Sequence, residues 1–317
     1  MSRRTRKTVK TQPANQDHQT TGIASGSLKF PHTQDWRRAE KETLSQERHG
    51  DFPLVVPDAF QIIAHRGASG YAPDHSLEAF KIAQRLGAAH IEIDAQVSKD
   101  GVVVLCHDKT LDAYGHPGRV IRAMNYVGEL DHLDMVHWGK WKESKLTDTQ
   151  MMTLDTLMSE FGRSFTYHIE LKSGQNHLTA EVLKVVDNHN MRDNVIFTSA
   201  TPTMLAMSKE LAPEIPRAYL VRYVEDRVMT IAKRLAVTQL CPRADTITPE
   251  LVSKIKESGI PQVRAWGVSW LTKNHGHYKW RTNQVIESGC DGTTIDHPDY
   301  LIPESKAAAR KEAAPPL

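Results

Sequence analysis

Residues 61–108 read QIIAHRGASGYAPDHSLEAFKIAQRLGAAHIEIDAQVSKDGVVVLCHD and contain most of the candidate site. The apolar run 62–64 ends in His-Arg-Gly at 65–67, which is typical of a buried strand whose polar end lies at a functional face. Residues 75–86 repeat apolar side chains at helical spacing, and a second strand is predicted at 90–94. This strand–helix–strand unit indicates an α/β protein.

Two carboxylates lie on the second predicted strand. Glu92 and Asp94 are two residues apart, so their side chains point to the same face of a strand. Like charges this close raise the free energy of the fold unless a cation or a proton lies between them. Oxygen ligands suit Mg²⁺ or Ca²⁺, and the pair is therefore a candidate site for a divalent cation.

A hairpin brings a histidine to this pair. Lys-Asp-Gly at 99–101 is a strong turn signal, and the apolar run 102–106 returns along the strand. The return places His107 level with Asp94. We therefore predict that two histidines, an arginine and two carboxylates converge, with His65 and Arg66 contributed by the first strand.

Three ordered motifs carry a family resemblance: HRGASGYAPDHSLEAF at 65–80, GAAHIEIDAQVSKDG at 87–101 and VVVLCHDKTLD at 102–112. Together they resemble the glycerophosphodiester phosphodiesterase family. The resemblance implies a metal-dependent (β/α)₈ TIM barrel with a hairpin after its second strand and an insertion before its third. It also implies a phosphoric diester hydrolase that converts glycerophosphodiesters to glycerol 3-phosphate and an alcohol.

Two later segments add candidate site residues. The predicted strand 166–171 carries Glu170 near its end, and Lys172 follows on the same face. Glu170 would complete an oxygen site with Glu92 and Asp94, and Lys172 would meet a phosphate; the resemblance supports both roles. It also implies that Trp266, near the end of the seventh strand, walls the substrate pocket.

The implied chemistry assigns a task to each candidate. One divalent cation, Mg²⁺ or Ca²⁺, neutralises charge at phosphorus. Arg66 and Lys172 hold the phosphate oxygens. His65 and His107 form the acid–base pair, because imidazole titrates near neutral pH, and the order of base and acid stays open. The resemblance implies that a glycerol hydroxyl attacks first and that water then opens a cyclic phosphate.

Two short segments depart from the family pattern. Residues 73–76 read Pro-Asp-His-Ser where the family commonly has Pro-Glu-Asn-Thr, and we interpret them as a structural motif at the barrel mouth. Residues 267–269 read Gly-Val-Ser where Thr-Val-Asn is frequent, which leaves the substrate hydrogen bonds there open.

The remaining chain fits one barrel with extensions. Eight strands are predicted near residues 62, 91, 168, 196, 219, 238, 264 and 293, with helices between them. The barrel domain is expected at 56–303, with an insertion at about 112–149 that either covers the mouth or packs on the surface. Residues 1–55 are expected to form a basic, disordered arm, within which 36–48 could form a short helix, and 304–317 to form a frayed tail.

Composition narrows the partners and the compartment. The formal net charge is only +2, so nucleic acid is not an expected partner. The three cysteines form no zinc or disulfide pattern, and no apolar run is long enough for a transmembrane helix. A cytoplasmic location is expected, although the basic arm leaves organelle targeting or a weak anchor to anionic surfaces open.

Other activities fit parts of the same pattern. A lysophospholipase D acting on lysophospholipids would use the same site with a wide apolar mouth. Metal-independent phosphoinositide cleavage by two histidines would give the carboxylates of Glu92, Asp94 and Glu170 no evident function. A non-catalytic barrel that binds phosphate esters would be expected to lack at least one of the candidate residues, and all of them are present. The oligomeric state and the head-group preference stay open.

Overall fold

The computed structural model describes residues 52–175, 177–269 and 275–312. Its centre is a closed barrel of eight parallel strands. The predictions for residues 1–51, which include the short helix at 36–48 and all but the last four residues of the basic arm expected at 1–55, lie outside the described residues; Leu54 and Val55 of that arm belong to a strand.

Eleven strands are present in the described part of the chain. They are β1 (Leu54–Val56), β2 (Gln61–His65), β3 (His90–Val97), β4 (Val103–Leu105), β5 (Thr166–Leu171), β6 (Val195–Ser199), β7 (Arg217–Val221), β8 (Gln239–Pro242), β9 (Gln262–Ala265), β10 (Gly292–Ile295) and β11 (Leu301–Pro303). The sheet order is β2-β10-β9-β8-β7-β6-β5-β3-β4, and an additional β2–β3 pairing closes it. All eight predicted barrel strands are confirmed, and so is the (β/α)₈ fold.

Helices connect the strands and cover the outside of the barrel. They are α1 (Leu77–Arg85), α2 (Leu154–Phe161), α3 (Leu178–Asn188), α4 (Pro202–Leu211), α5 (Asp226–Arg234), α6 (Pro249–Glu257), α7 (His275–Glu287) and α8 (Glu304–Glu312). The first helix starts at Leu77 and not at the predicted residue 75, because Ser76 caps it by accepting a hydrogen bond from the Ala79 amide. The seventh starts seven residues before the predicted 282, and its added first part carries Tyr278, which is buried.

The predicted hairpin is confirmed. β4 pairs antiparallel with β3, with Ala95 opposite Leu105 and Val97 opposite Val103. Gly101 in the turn has φ +87°, a left-handed conformation that glycine adopts without strain. The hairpin therefore extends β3 beyond the barrel and turns its return strand back toward the mouth.

The insertion packs on this hairpin. It contains four short 3₁₀ turns, Asp112–Tyr114, Ile121–Ala123, Leu130–His132 and Gly139–Trp141. Its buried side chains form an apolar cluster with those of the hairpin: Val104, Cys106, Leu111, Tyr114, Ile121, Met124, Leu130, Leu133, Met135 and Met151. The insertion also contacts the loop after β2, where Lys140 Nζ donates to the Gly70 carbonyl at 3.5 Å, so both expectations for this segment stay open.

The chain end differs from the expected frayed tail. β11 pairs with β1, and helix α8 follows through Glu312. Asp58 accepts hydrogen bonds from the Ser305 amide (3.0 Å) and hydroxyl (2.8 Å), which anchors the first turn of this helix. The sequence pattern could not reveal a contact between residues 247 positions apart. Residues 313–317 lie outside the described residues.

Candidate active site

A cavity of about 400 Å³ opens at the carboxyl ends of the barrel strands. One side is polar and is lined by predicted site residues: His65, Arg66, Glu92, His107, Glu170 and Lys172. Asp94 lies behind this wall with 1% of its surface exposed. Trp266 lines the opposite side. The structure thus brings together all eight residues that the sequence singled out.

The three carboxylates come from two neighbouring strands. Asp94 of β3 pairs in register with Glu170 of β5, and Glu92 lies two residues before Asp94. One oxygen from each lies within 4.8 Å of the others. Burial, together with the neighbouring Asp94 charge, raises the pKa of Glu92 to about 7. Its Oε2 atom is buried and lacks a hydrogen-bond partner, so the donor set fits an oxygen-seeking divalent cation.

The two basic side chains are held by these carboxylates. Arg66 Nε lies 2.9 Å from Asp94 Oδ2. Lys172 Nζ lies 2.7 Å from Asp94 Oδ1 and 3.0 Å from Glu170 Oε1, between two of the proposed metal ligands. Burial alone would raise the pKa of Asp94, but Lys172 and Arg66 hold it well below its usual range. Lys172 therefore contacts the carboxylates in this structure, whereas the sequence suggested a phosphate contact.

Each histidine is oriented by a carboxylate. His65 Nδ1 lies 2.7 Å from Asp296 Oδ1, and His107 Nδ1 lies 2.7 Å from Asp108 Oδ1. In both rings Nε2 stays available for proton transfer. Burial and Arg66 act against the charge of His65, but the hydrogen bond and the charge of Asp296 outweigh them and the pKa of His65 is raised. Burial and Arg66 lower the pKa of His107.

Asp296 was missed by the sequence reasoning. It directly follows β10, so it lies at the carboxyl end of the eighth barrel strand and lines the cavity. Polar residues at the ends of β2 and β5 were selected by that rule, and applying it to the last strand would have found Asp296 as well. Asp108 follows His107 directly, yet a neighbour in sequence gave no reason to expect the 2.7 Å contact.

The far wall of the cavity combines apolar side chains with two arginines, Arg222 and Arg264. Leu220, Val221 and Val268 line it beside Trp266, whose indole Nε1 donates to the Val221 carbonyl at 3.0 Å. The described residues that line the cavity include none from the insertion at 112–149. The insertion tryptophans pack locally; Trp138, for example, donates to the Met135 carbonyl at 2.9 Å.

The Gly-Val-Ser segment that departs from the family pattern lines the cavity and contacts the loop that carries Asp296. Ser269 Oγ accepts a hydrogen bond from the Asp296 amide at 3.3 Å and lies 3.3 Å from the Tyr278 hydroxyl. These two contacts stabilise the loop that carries Asp296. Among the helices described, none is long and apolar enough to cross a membrane.

Paired imidazoles beside buried carboxylates and cations suit acid–base chemistry on an anionic ester, and a closed (β/α)₈ barrel places such sites at this face. A family model described as the glycerophosphoryl diester phosphodiesterase family matches residues 65–300. The chain belongs to this family, whose activity makes it a phosphoric diester hydrolase.

Individual relatives agree with this assignment. A glycerophosphodiester phosphodiesterase of Caldanaerobacter subterraneus is 29% identical over 247 residues, which cover 76% of this chain and 96% of the relative. The structure of a phosphodiesterase of Oleispira antarctica in complex with the product sn-glycerol-3-phosphate superposes with a TM-score of 0.66 and 26% sequence identity. The match covers 81% of this chain and 98% of the Oleispira chain. A human lysophospholipase D is 25% identical over 166 residues, half of each chain.

Proposed function

We propose that this protein is a metal-dependent phosphodiesterase that hydrolyses glycerophosphodiesters to glycerol 3-phosphate and an alcohol. The observation that carries the proposal is the convergence of two histidines, three carboxylates, an arginine and a lysine at one cavity. These groups can provide the binding of an anion, the transfer of protons and the retention of a cation. The product seen in the Oleispira relative supports the same substrate class for this chain.

Glu92, Asp94 and Glu170 would hold one Mg²⁺ or Ca²⁺ ion. The bound ion would neutralise charge at the phosphate and acidify a hydroxyl coordinated to it. Lys172 now neutralises Asp94 and Glu170 from 2.7 and 3.0 Å. Once these carboxylates hold a cation, the ammonium group becomes available for a phosphate oxygen. Arg66, beside Asp94, would provide a second, planar contact.

His65 and His107 would share the proton transfers. In the first step one imidazole removes a proton from the glycerol hydroxyl that attacks phosphorus, and the other protonates the departing alcohol. In the second step the roles reverse, and water opens the cyclic phosphate to glycerol 3-phosphate. Asp296 and Asp108 would keep Nδ1 of each ring occupied, so that Nε2 makes these transfers.

A lysophospholipase D activity is the second candidate. The apolar wall formed by Leu220, Val221 and Val268 could pack against an acyl chain, and the human relative has this activity in its name. Both reactions would break the bond between phosphorus and the head-group oxygen. They differ in whether the product retains an acyl chain.

The test compares glycerophosphocholine with lysophosphatidylcholine, with Mg²⁺ or Ca²⁺ present, for the wild type and for His107→Ala. Release of glycerol 3-phosphate from the first substrate, lost in the variant, is the expected result. Choline release from the second substrate alone would move the assignment to lysophospholipase D. Failure to cleave either substrate would contradict both candidates and favour a barrel that only binds phosphate esters.

A further inference from the structure

His75 lies directly behind the carboxylate site in an unusual backbone conformation. It is in the loop between β2 and α1, 5% exposed, with φ +57°. Its amide donates to the Arg66 carbonyl at 3.0 Å, and Arg66 itself has φ +55°. Left-handed conformations in two non-glycine residues at one site are uncommon and persist only where surrounding contacts fix them.

The imidazole contacts the main chain of Asp94. His75 Nε2 accepts a hydrogen bond from the Asp94 amide at 3.1 Å and lies 3.4 Å from Asp94 Oδ2. An Nε2 atom that accepts cannot carry the proton, so the proton belongs on Nδ1, which lies 3.9 Å from Asp74 Oδ2.

The position of Asp94 in the sheet explains why a side chain is needed there. The ladder between β2 and β3 ends at His65 opposite Glu92. The ladder between β3 and β4 begins at Ala95 opposite Leu105. Asp94 lies between the two ladders, where β3 changes neighbours. The Asp94 carbonyl accepts a hydrogen bond from the Cys106 amide at 3.0 Å, and the Asp94 amide donates to His75 Nε2.

We propose that His75 is a positioning residue for the divalent-cation site, because its imidazole replaces the strand partner that the Asp94 amide lacks on the side of β2 and β4, and thereby fixes that carboxylate toward Glu92 and Glu170. This inference rests on the metal-dependent function proposed above. Groups that orient a metal ligand commonly change metal affinity by about 10- to 100-fold when they are removed. A side chain that holds the ligand's main chain is expected to act in the same way.

The experiment measures Mg²⁺ and Ca²⁺ dissociation constants by calorimetry on the metal-free full chain at pH 7.5. The matched variants are His75→Gln and His75→Leu, which are similar in size and in backbone strain. Glutamine places an oxygen near the position of Nε2 and can accept from the Asp94 amide, whereas leucine cannot. His189→Gln is the control, since His189 lies at the end of α3 and contacts Asp155 at 2.9 Å, outside the carboxylate site.

We expect His75→Leu to weaken binding of the ion by about 10- to 100-fold, while His75→Gln and His189→Gln stay within about threefold of the wild type. The glycine variant His75→Gly, which tolerates the left-handed backbone, replaces His75→Leu if the latter does not fold. Equal affinities for the leucine, glutamine and wild-type proteins would overturn the inference, and so would an equal loss in both variants. A wild type that binds neither ion would refute the proposed function itself, and the inference with it.

Discussion

The raised pKa of Glu92 predicts an unusual pH dependence of stability in the metal-free protein. The side chain is 6% exposed, and burial beside Asp94 raises its pKa from 4.5 to about 7. A carboxyl whose folded pKa is raised stabilises the fold below its unfolded pKa and loses that contribution as the pH rises through the folded pKa. The two pKa values differ by about 2.5, and each whole unit of pKa corresponds to about 1.36 kcal/mol, so the free energy of unfolding falls by roughly 3 kcal/mol between pH 4.5 and pH 8.

The variant Glu92→Gln keeps the shape of the protonated side chain and cannot ionise. Urea unfolding of chelator-treated wild type and variant should give equal free energies of unfolding near pH 4.5. Near pH 8 the variant should be more stable by up to roughly 3 kcal/mol. Saturating Mg²⁺ or Ca²⁺ should stabilise the wild type more at pH 8 than at pH 5.5, because protons then compete less for the ligand. Stability curves that stay parallel from pH 4.5 to 8 would refute the reasoning.

Three further substitutions test separate parts of the account. Asp296→Asn should lower kcat by roughly 100-fold or more, and the part of the pH–rate profile that reports the titration of His65 should shift to lower pH. The circular dichroism spectrum should stay unchanged. A pH–rate profile equal to that of the wild type would contradict this prediction. Lys172→Met should tighten Ca²⁺ binding in calorimetry, because no ammonium group then competes with the ion for Asp94. It should also raise KM for glycerophosphocholine. An unchanged Ca²⁺ affinity would exclude this competition. Ser76→Ala should cost about 1 kcal/mol in urea unfolding, since the helix loses its cap, and no loss would show that water replaces it.

The barrel was predictable from the sequence because its local signals agree. Short apolar runs alternate with amphipathic segments, and glycines follow several helices, so the eight strands could be located. Glu92 and Asp94 were found for the same reason, since the period of two along a strand places both on one face. The hairpin geometry was enough to bring His107 to them.

Contacts between distant segments were not predictable in the same way. The pair of His65 and Asp296 joins residues 231 positions apart, and only closure of the barrel brings them together. The role of His75 depends on a left-handed backbone and on the gap between two ladders, and its helical spacing instead suggested the start of a helix. Lys172 could equally have met a phosphate or a carboxylate, because a charge pattern does not show which partner is nearer.

The insertion shows the same limit at a larger scale. Its glycines and tryptophans were compatible with a cover over the mouth and with a surface excursion. In the structure Leu111, Ile121 and Leu130 are fully buried in one apolar cluster with side chains of the hairpin. Which side chains of the insertion become buried depends on the residues of other segments that contact them. The spacing of apolar residues within the insertion does not identify those residues.

The most direct test of the central claim is glycerol 3-phosphate release from glycerophosphocholine by chelator-treated protein, before and after addition of Mg²⁺ or Ca²⁺. The variant Glu170→Gln serves as the matched site control. The account predicts no release from the stripped protein, recovery on addition of one of the two ions, and a variant that needs far more of that ion. Full release in the presence of chelator, equal in the variant, would contradict a metal site formed by Glu92, Asp94 and Glu170.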